Sequence, residues 1–181
     1  MTGKVGPQRS YEEPRAHALR ERYLATFGGP EIPVPVESIA VDLLGLRVEE
    51  SADLGDCSGL LLPAERRILV NAMERMSGDV PIRRHRFTIA HEVGHWICHA
   101  LGSASPQPSY CRARDLSADA DRALEREANV FAAELLMPAP SVRQAWGESG
   151  AVAACAARFD VSSSAMHWTL FSFGLAAERP A

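Results

Sequence analysis

Two histidines four residues apart, with a glutamate beside the first, form the run His91-Glu92-Val93-Gly94-His95. If the run is helical, residues i and i+4 stack on one face with Cβ atoms about 5–6 Å apart, so both imidazoles can hold one Zn2+. Glu92 is offset by one residue, near such an ion but aimed elsewhere, which suits it to take a proton from the attacking water rather than to ligate. A catalytic zinc site uses three protein ligands and keeps a fourth position open, so a third ligand must come from elsewhere in the chain. Glu125 and Glu127 are the candidates. Glu125 shares a helical face with Ala128, Asn129 and Ala132, whose small size lets another helix approach, whereas Glu127 groups with Val130 and Glu134. We therefore take Glu125 as the third ligand of a site holding one zinc per chain, with Asn129, a turn further on, orienting a ligand by hydrogen bonding.

Other side chains could complete this chemistry. Cys111 lies between the two motifs, and its thiolate could occupy the open fourth position and hold the site latent. An oxyanion needs a donor, for which Tyr110, His99 and His167 qualify by type. Cys98, a turn beyond the expected ion, reads as core.

The elements that must position these residues can be read from periodicity and punctuation. A helix over 15–27 stops at Gly28-Gly29-Pro30, and a shorter one over 36–44 closes at Gly45. Three short β-prone runs follow, 46–49, 58–62 and 67–70, the last two joined like a hairpin; together they suggest a small antiparallel three-stranded sheet. From Pro81 to Leu101 the positions Phe87, Ala90, Val93, Gly94, Ile97 and Leu101 recur at helical steps and carry the histidine motif. After a Ser/Pro-rich loop over 102–114, the period returns from Ala118 through Leu124, Ala128, Phe131, Ala132 and Leu135 until Pro138 breaks it. Helices near 150–159 and 162–173 complete the chain. The fold class is thus α+β, with a flexible stretch over 1–10, a peptidase core over 11–147, a C-terminal helical portion over 148–176 that looks like a helix-turn-helix, and a tail over 177–181.

These segments resemble the ImmA/IrrE metallopeptidases, zincin-like proteins in which an HExxH helix precedes an ExxAN helix. The likeness includes residues 87–96 and 125–138, the upstream Pro33-Val34-Pro35-Val36 and the hairpin 58–71, and it spans roughly residues 15–175. It implies His91, His95 and Glu125 as zinc ligands and Glu92 as general base. It further implies a protease that cleaves a helix-turn-helix repressor and so releases genes for stress, DNA-damage or mobile-element responses. Some members add an N-terminal helix-turn-helix domain or a C-terminal GAF-like sensor domain, and neither is expected within these 181 residues.

Composition narrows the partners. With 46% hydrophobic and 23% charged residues the chain is of ordinary globular type, and no apolar run approaches the length of a membrane-spanning helix. The start of the sequence lacks the apolar core of a signal peptide, and four scattered cysteines suit a reducing compartment, so a cytoplasmic protein is expected. A net charge of -4 gives no basic footprint for duplex nucleic acid, although Arg83-Arg84-His85-Arg86 could meet an acidic segment or a single-stranded nucleic-acid signal. The C-terminal helices, apolar at Val161, Met166, Trp168, Leu170 and Phe171 and poor in cations, suit a protein partner better than DNA. Two rivals to the protease remain: a non-proteolytic zinc protein that sequesters a transcription factor, for which a general base has no use, and a DNA-binding regulator, which lacks the arginines and lysines it would need.

Overall fold

The computed structural model describes residues 13–76, 80–103, 109–110 and 119–177. Helix α1 (Pro14–Phe27) begins with a proline in its first turn and a Glu13 carboxylate that accepts from the Arg15 amide, and it stops at Gly28 in a positive-φ conformation. Helix α2 (Val36–Ser38) runs directly into a wider π turn (Ile39–Leu43), which Gly45 closes with φ 65°. Together they bury Val36, Ile39 and Ala40.

Strands β1 (Arg47–Ser51), β2 (Gly59–Leu62), β3 (Arg67–Asn71) and β4 (Ser109–Tyr110) form one sheet in the order β1-β3-β2-β4. The sheet is mixed rather than antiparallel throughout. β2 and β3 form the expected hairpin, closed by a 3-10 turn over Pro63–Glu65 with Arg66 in the left-handed region. β1, however, crosses over β2 to pair in parallel with the far edge of β3. The crossover is pinned from below: the Asn71 side-chain amide donates to the Gly55 carbonyl at 3.0 Å and to the Cys57 carbonyl at 2.8 Å. Central placement of β3 follows from its sequence, since Ile68 and Val70 are both fully buried. β4 lies within the stretch that sequence alone reads as loop, and it pairs antiparallel with Leu60 and Leu61 of β2.

Helix α3 (Val80–His95) lies across the sheet and continues into a π turn (Trp96–Ala100). Every residue from 88 to 96 is buried, as expected for a helix enclosed on all sides: the sheet covers one flank and helix α4 (Asp119–Leu136) another. α4 buries Ala128, Phe131, Ala132, Leu135 and Leu136 at three- and four-residue steps, and α1 packs against it from outside.

Helix α5 (Ala139–Ser149) has no counterpart in the periodicity reading, which treats Pro138 only as a stop. Pro138 and Pro140 instead occupy the N-cap and first turn of the next helix, where a missing N–H costs nothing. Helices α6 (Val152–Phe159) and α7 (Ser163–Ser172) follow, joined by Asp160 in the left-handed region with φ 51°. No helix among the described residues is long and apolar enough to cross a membrane.

Arg86 ties this C-terminal turn to the core. From α3 its guanidinium donates to the Asp160 carbonyl at 3.2 Å and to the Val34 carbonyl at 2.8 Å, and it lies 3.3 Å from the Asp160 carboxylate. Burial pulls its pKa down, and the charge of Asp160 opposes that pull. Arg83 pairs with Asp160 at 3.4 Å and Arg84 with Glu74 at 3.1 Å, so all three arginines of the basic run have intramolecular partners. Arg86→Met keeps the packing volume but leaves two carbonyls and one carboxylate short of a donor. Each such loss costs about 1–3 kcal/mol, and Asp160 keeps Arg83 as a partner, so the variant should lose about 3 kcal/mol or more in urea denaturation; an unchanged midpoint would show that the tie is not structural.

Candidate metal centre

His91 and His95 face α4 from successive turns of α3, only 4% and 3% exposed. Their Nε2 atoms are 3.0 Å apart and the rings meet edge to face. From α4, Glu125 places Oε2 at 3.2 Å from the His91 Nε2 and Oε1 at 3.0 Å from that of His95. The close approach of the two helices has a local cause. A Cβ on Gly94 would stand 3.0 Å from the Ala128 carbonyl oxygen, 3.1 Å from its Cα and 3.2 Å from Phe131 Cδ1. The glycine inside the motif therefore lets α3 rest on the α4 backbone one turn beyond Glu125.

The donor set fits a metal ion. Four donors placed tetrahedrally at zinc distances of about 2.0–2.1 Å are separated by about 3.3 Å, close to the 3.0–3.2 Å between the three here. Among the described residues this is the only group of three metal-ligating side chains with donor atoms so close. Burial alone would raise the pKa of Glu125, but the hydrogen bonds and charges of His91 and His95 outweigh it and hold the carboxyl at about 2. Burial lowers the pKa of His95, with Glu125 opposing. Glu125 is thus ionised and His95 drawn toward its neutral form, the two forms that donate to a cation.

Glu92 leaves α3 about 60° around the helix from His95, on the side where its carboxylate approaches Gly59 of β2. It is fully buried, and neither carboxylate oxygen has a hydrogen-bond partner. Burial pushes its pKa well above the usual carboxylate range, the Glu125 charge adds to this, and the Leu61 amide pulls weakly against it without completing a hydrogen bond. A buried carboxyl with no partner is rare in folded proteins and points to a group kept for chemistry.

The remaining candidates are dispersed. Glu127 takes a different role from Glu125: one oxygen receives the Arg15 guanidinium at 2.6 Å and the other lies 3.8 Å from His99 Nδ1. The His99 ring lies tilted against that of His95 with centroids 5.4 Å apart, but it stays outside the cluster because the π turn after His95 rotates it toward Glu127. Cys98 packs against the core, its thiol pushed up to about 11, chiefly by burial. Asn129 is exposed and makes no hydrogen bond to the cluster. The face that Gly94 meets runs through Ala128 and Phe131, which leaves Asn129 on its solvent shoulder. His167 lies on α7, which packs chiefly on α6. Tyr110 is placed in β4 by its backbone pairing with Leu60. Cys111 lies outside the described residues. The apolar stripe of the C-terminal helices is mostly spent on the core: Val161, Met166 and Leu170 are buried, and Trp168, 40% exposed, stands against Phe171 at the surface.

Sequence reasoning passes over Gly59 and Thr88, which line the Glu92 carboxylate. A Cβ on Gly59 would lie 2.5 Å from Thr88 Cγ2 and 2.9 Å from Glu92 Oε1. The available signal is a glycine within a β-prone run, which marks close backbone approach.

No curated protein matches the chain. The IrrE N-terminal-like domain of the M78 peptidases does match, over residues 55–171, a span that begins just before β2 and ends in α7. It therefore takes in the whole cluster together with Glu92 and its lining, and the chain belongs to the IrrE N-terminal-like peptidase family.

Proposed function

We propose that this protein is a zinc-dependent endopeptidase whose substrate is a helix-turn-helix repressor, cut so as to release stress, DNA-damage or mobile-element genes. The observation that carries the peptidase reading is the convergence of His91, His95 and Glu125 with a buried, unpartnered carboxylate one residue from the first ligand. Two imidazoles and one carboxylate form a catalytic rather than a closed structural zinc set. An ion held there would supply Lewis acidity, drawing charge from the scissile carbonyl and making water acidic enough to lose a proton near neutral pH.

The chain's own residues do the rest. Glu92 accepts the water proton on a carboxylate oxygen and later passes it to the leaving amine, and its dry setting makes it a stronger base than an exposed glutamate. Glu125, ionised between the two imidazoles, fixes the charge of the ligand set. The substrate assignment is supported by the ImmA/IrrE resemblance and by the exposed Trp168 beside Phe171, a rigid aromatic anchor for a protein partner.

Purified protein should carry about one zinc per chain. Glu125→Ala should weaken zinc binding by more than ~100-fold, the upper range for loss of a mere supporting partner, whereas Glu127→Ala should keep it. Chelation should stop cleavage of the repressor substrate, and added zinc should restore it. The ligand assignment fails if Glu127→Ala loses the metal and Glu125→Ala does not. A zinc-replete protein that binds the repressor tightly and never cuts it would replace proteolysis with sequestration.

A further inference from the structure

Glycine at position 59 is not demanded by the backbone. It has no positive φ, it lies inside a strand, and there glycine weakens the sheet relative to alanine. Its reason must lie in what approaches it. Three atoms would crowd a side chain at this point: Thr88 Cγ2 at 2.5 Å, Glu92 Oε1 at 2.9 Å and Glu92 Cγ at 3.3 Å. The strand cannot retreat easily, because Gly59 pairs with Val70 of β3 while the neighbouring Ser58 carbonyl accepts the Asn71 amide at 2.9 Å and the Ser58 hydroxyl bonds Glu74. Thr88, one helical turn before Glu92, is itself buried.

Glu92 therefore has an unusual mounting. A buried carboxylate is ordinarily fixed by donors, and this one has none. What limits its rotation is shape. From these contacts we infer that Gly59 is a positioning residue: the bare β2 backbone at this point and the Thr88 methyl form an apolar seat that limits where the Glu92 carboxylate can stand, one residue from the first metal ligand. A glycine does this because any larger residue would occupy the carboxylate's own place. The seat leaves the oxygens free of hydrogen bonds, as a group that must accept and return a proton requires. This inference rests on the peptidase reading for its catalytic consequence, but the contact itself can be tested without it.

The experiment separates the two overlaps that a methyl at position 59 creates. Gly59→Ala should fold less stably, keep zinc, and lower kcat on a peptide substrate about 10- to 100-fold with KM within about twofold, the pattern of a group displaced only in the chemical step. Adding Thr88→Ser removes the 2.5 Å clash between helix and strand. The double variant should regain most of the lost melting temperature while kcat stays low, since the overlap with the carboxylate remains. If kcat returns together with the melting temperature, Gly59 only spaces helix from strand and the inference is overturned. A second readout needs no activity. Measured in the Thr88→Ser background, Gly59→Ala should cost markedly less melting temperature when Glu92 is also changed to Ala, and simple additivity would overturn the seat. An inactive zinc-replete wild type would sink the peptidase reading and leave this coupling to decide the seat by itself.

Discussion

Glu92→Gln is expected to keep the fold and the zinc while lowering peptide hydrolysis by about 10²–10⁴-fold, the usual contribution of a positioned general base. Three features of the site make this variant clean. The amide has nearly the shape of the carboxylate, so the close contact with Gly59 and Thr88 survives the exchange. Neither Glu92 oxygen is hydrogen-bonded, so no existing partner is orphaned. The metal donors belong to three other side chains, and their 3.0–3.2 Å separations do not involve this carboxylate. The exchange also removes a charge that burial disfavours, so stability should hold or rise slightly. Zinc analysis, thermal melting and kcat on one preparation check all three points. Turnover above a tenth of the wild-type rate by a zinc-replete Glu92→Gln protein would show that proton transfer runs through another group.

How much of this was legible beforehand depends on whether a feature is local. The helical period puts His91 and His95 on one face, where the structure has them, because 3.6 residues per turn leaves little choice. The same reasoning separates Glu125 from Glu127, and the structure puts the first among the histidines and the second on Arg15. Non-local choices were not legible. Nothing in the run Arg47–Ser51 says that it will pair with the far edge of β3, since its nearest β-prone neighbour in sequence is β2. The π turn after His95 is also silent, because it preserves the pattern of apolar residues while rotating His99 away from the cluster. Pro138 misleads for a different reason: proline punctuates a helix at either end, and only the chain beyond it decides which. Glycines are the hardest to read. The positive-φ glycines at 28 and 45 match stops that the sequence suggests, but Gly59 and Gly94 are there for the atoms that approach them.

Gly94→Val should be the most damaging single change outside the ligands themselves. Glycine within a helix is worse than alanine by about 1 kcal/mol, so its presence in the middle of α3 needs a compensating reason, and the reason is contact with backbone. The atoms nearest to an added Cβ are the Ala128 carbonyl oxygen and Cα, which no rotamer change can move aside. Alanine there sets about 1 kcal/mol of helix propensity against an overlap of a few tenths of an ångström, and overpacking of that kind costs typically ~1–3 kcal/mol. Valine adds two further methyls with a restricted χ1 and must push α4 outward. Glu125 is carried on α4 one turn from the contact, so any outward shift separates it from His91 and His95 before it disturbs the histidines, which share α3. The expected order of loss is therefore specific: zinc affinity falls by at least ~10-fold, on the scale of losing a supporting contact, in protein that still shows native helix content, and peptidase activity falls with the zinc. Ala128→Gly should not rescue the variant, because the overlap is with main-chain atoms that glycine also has. Wild-type zinc affinity in folded Gly94→Val protein would mean that something other than this helix contact holds Glu125 in place.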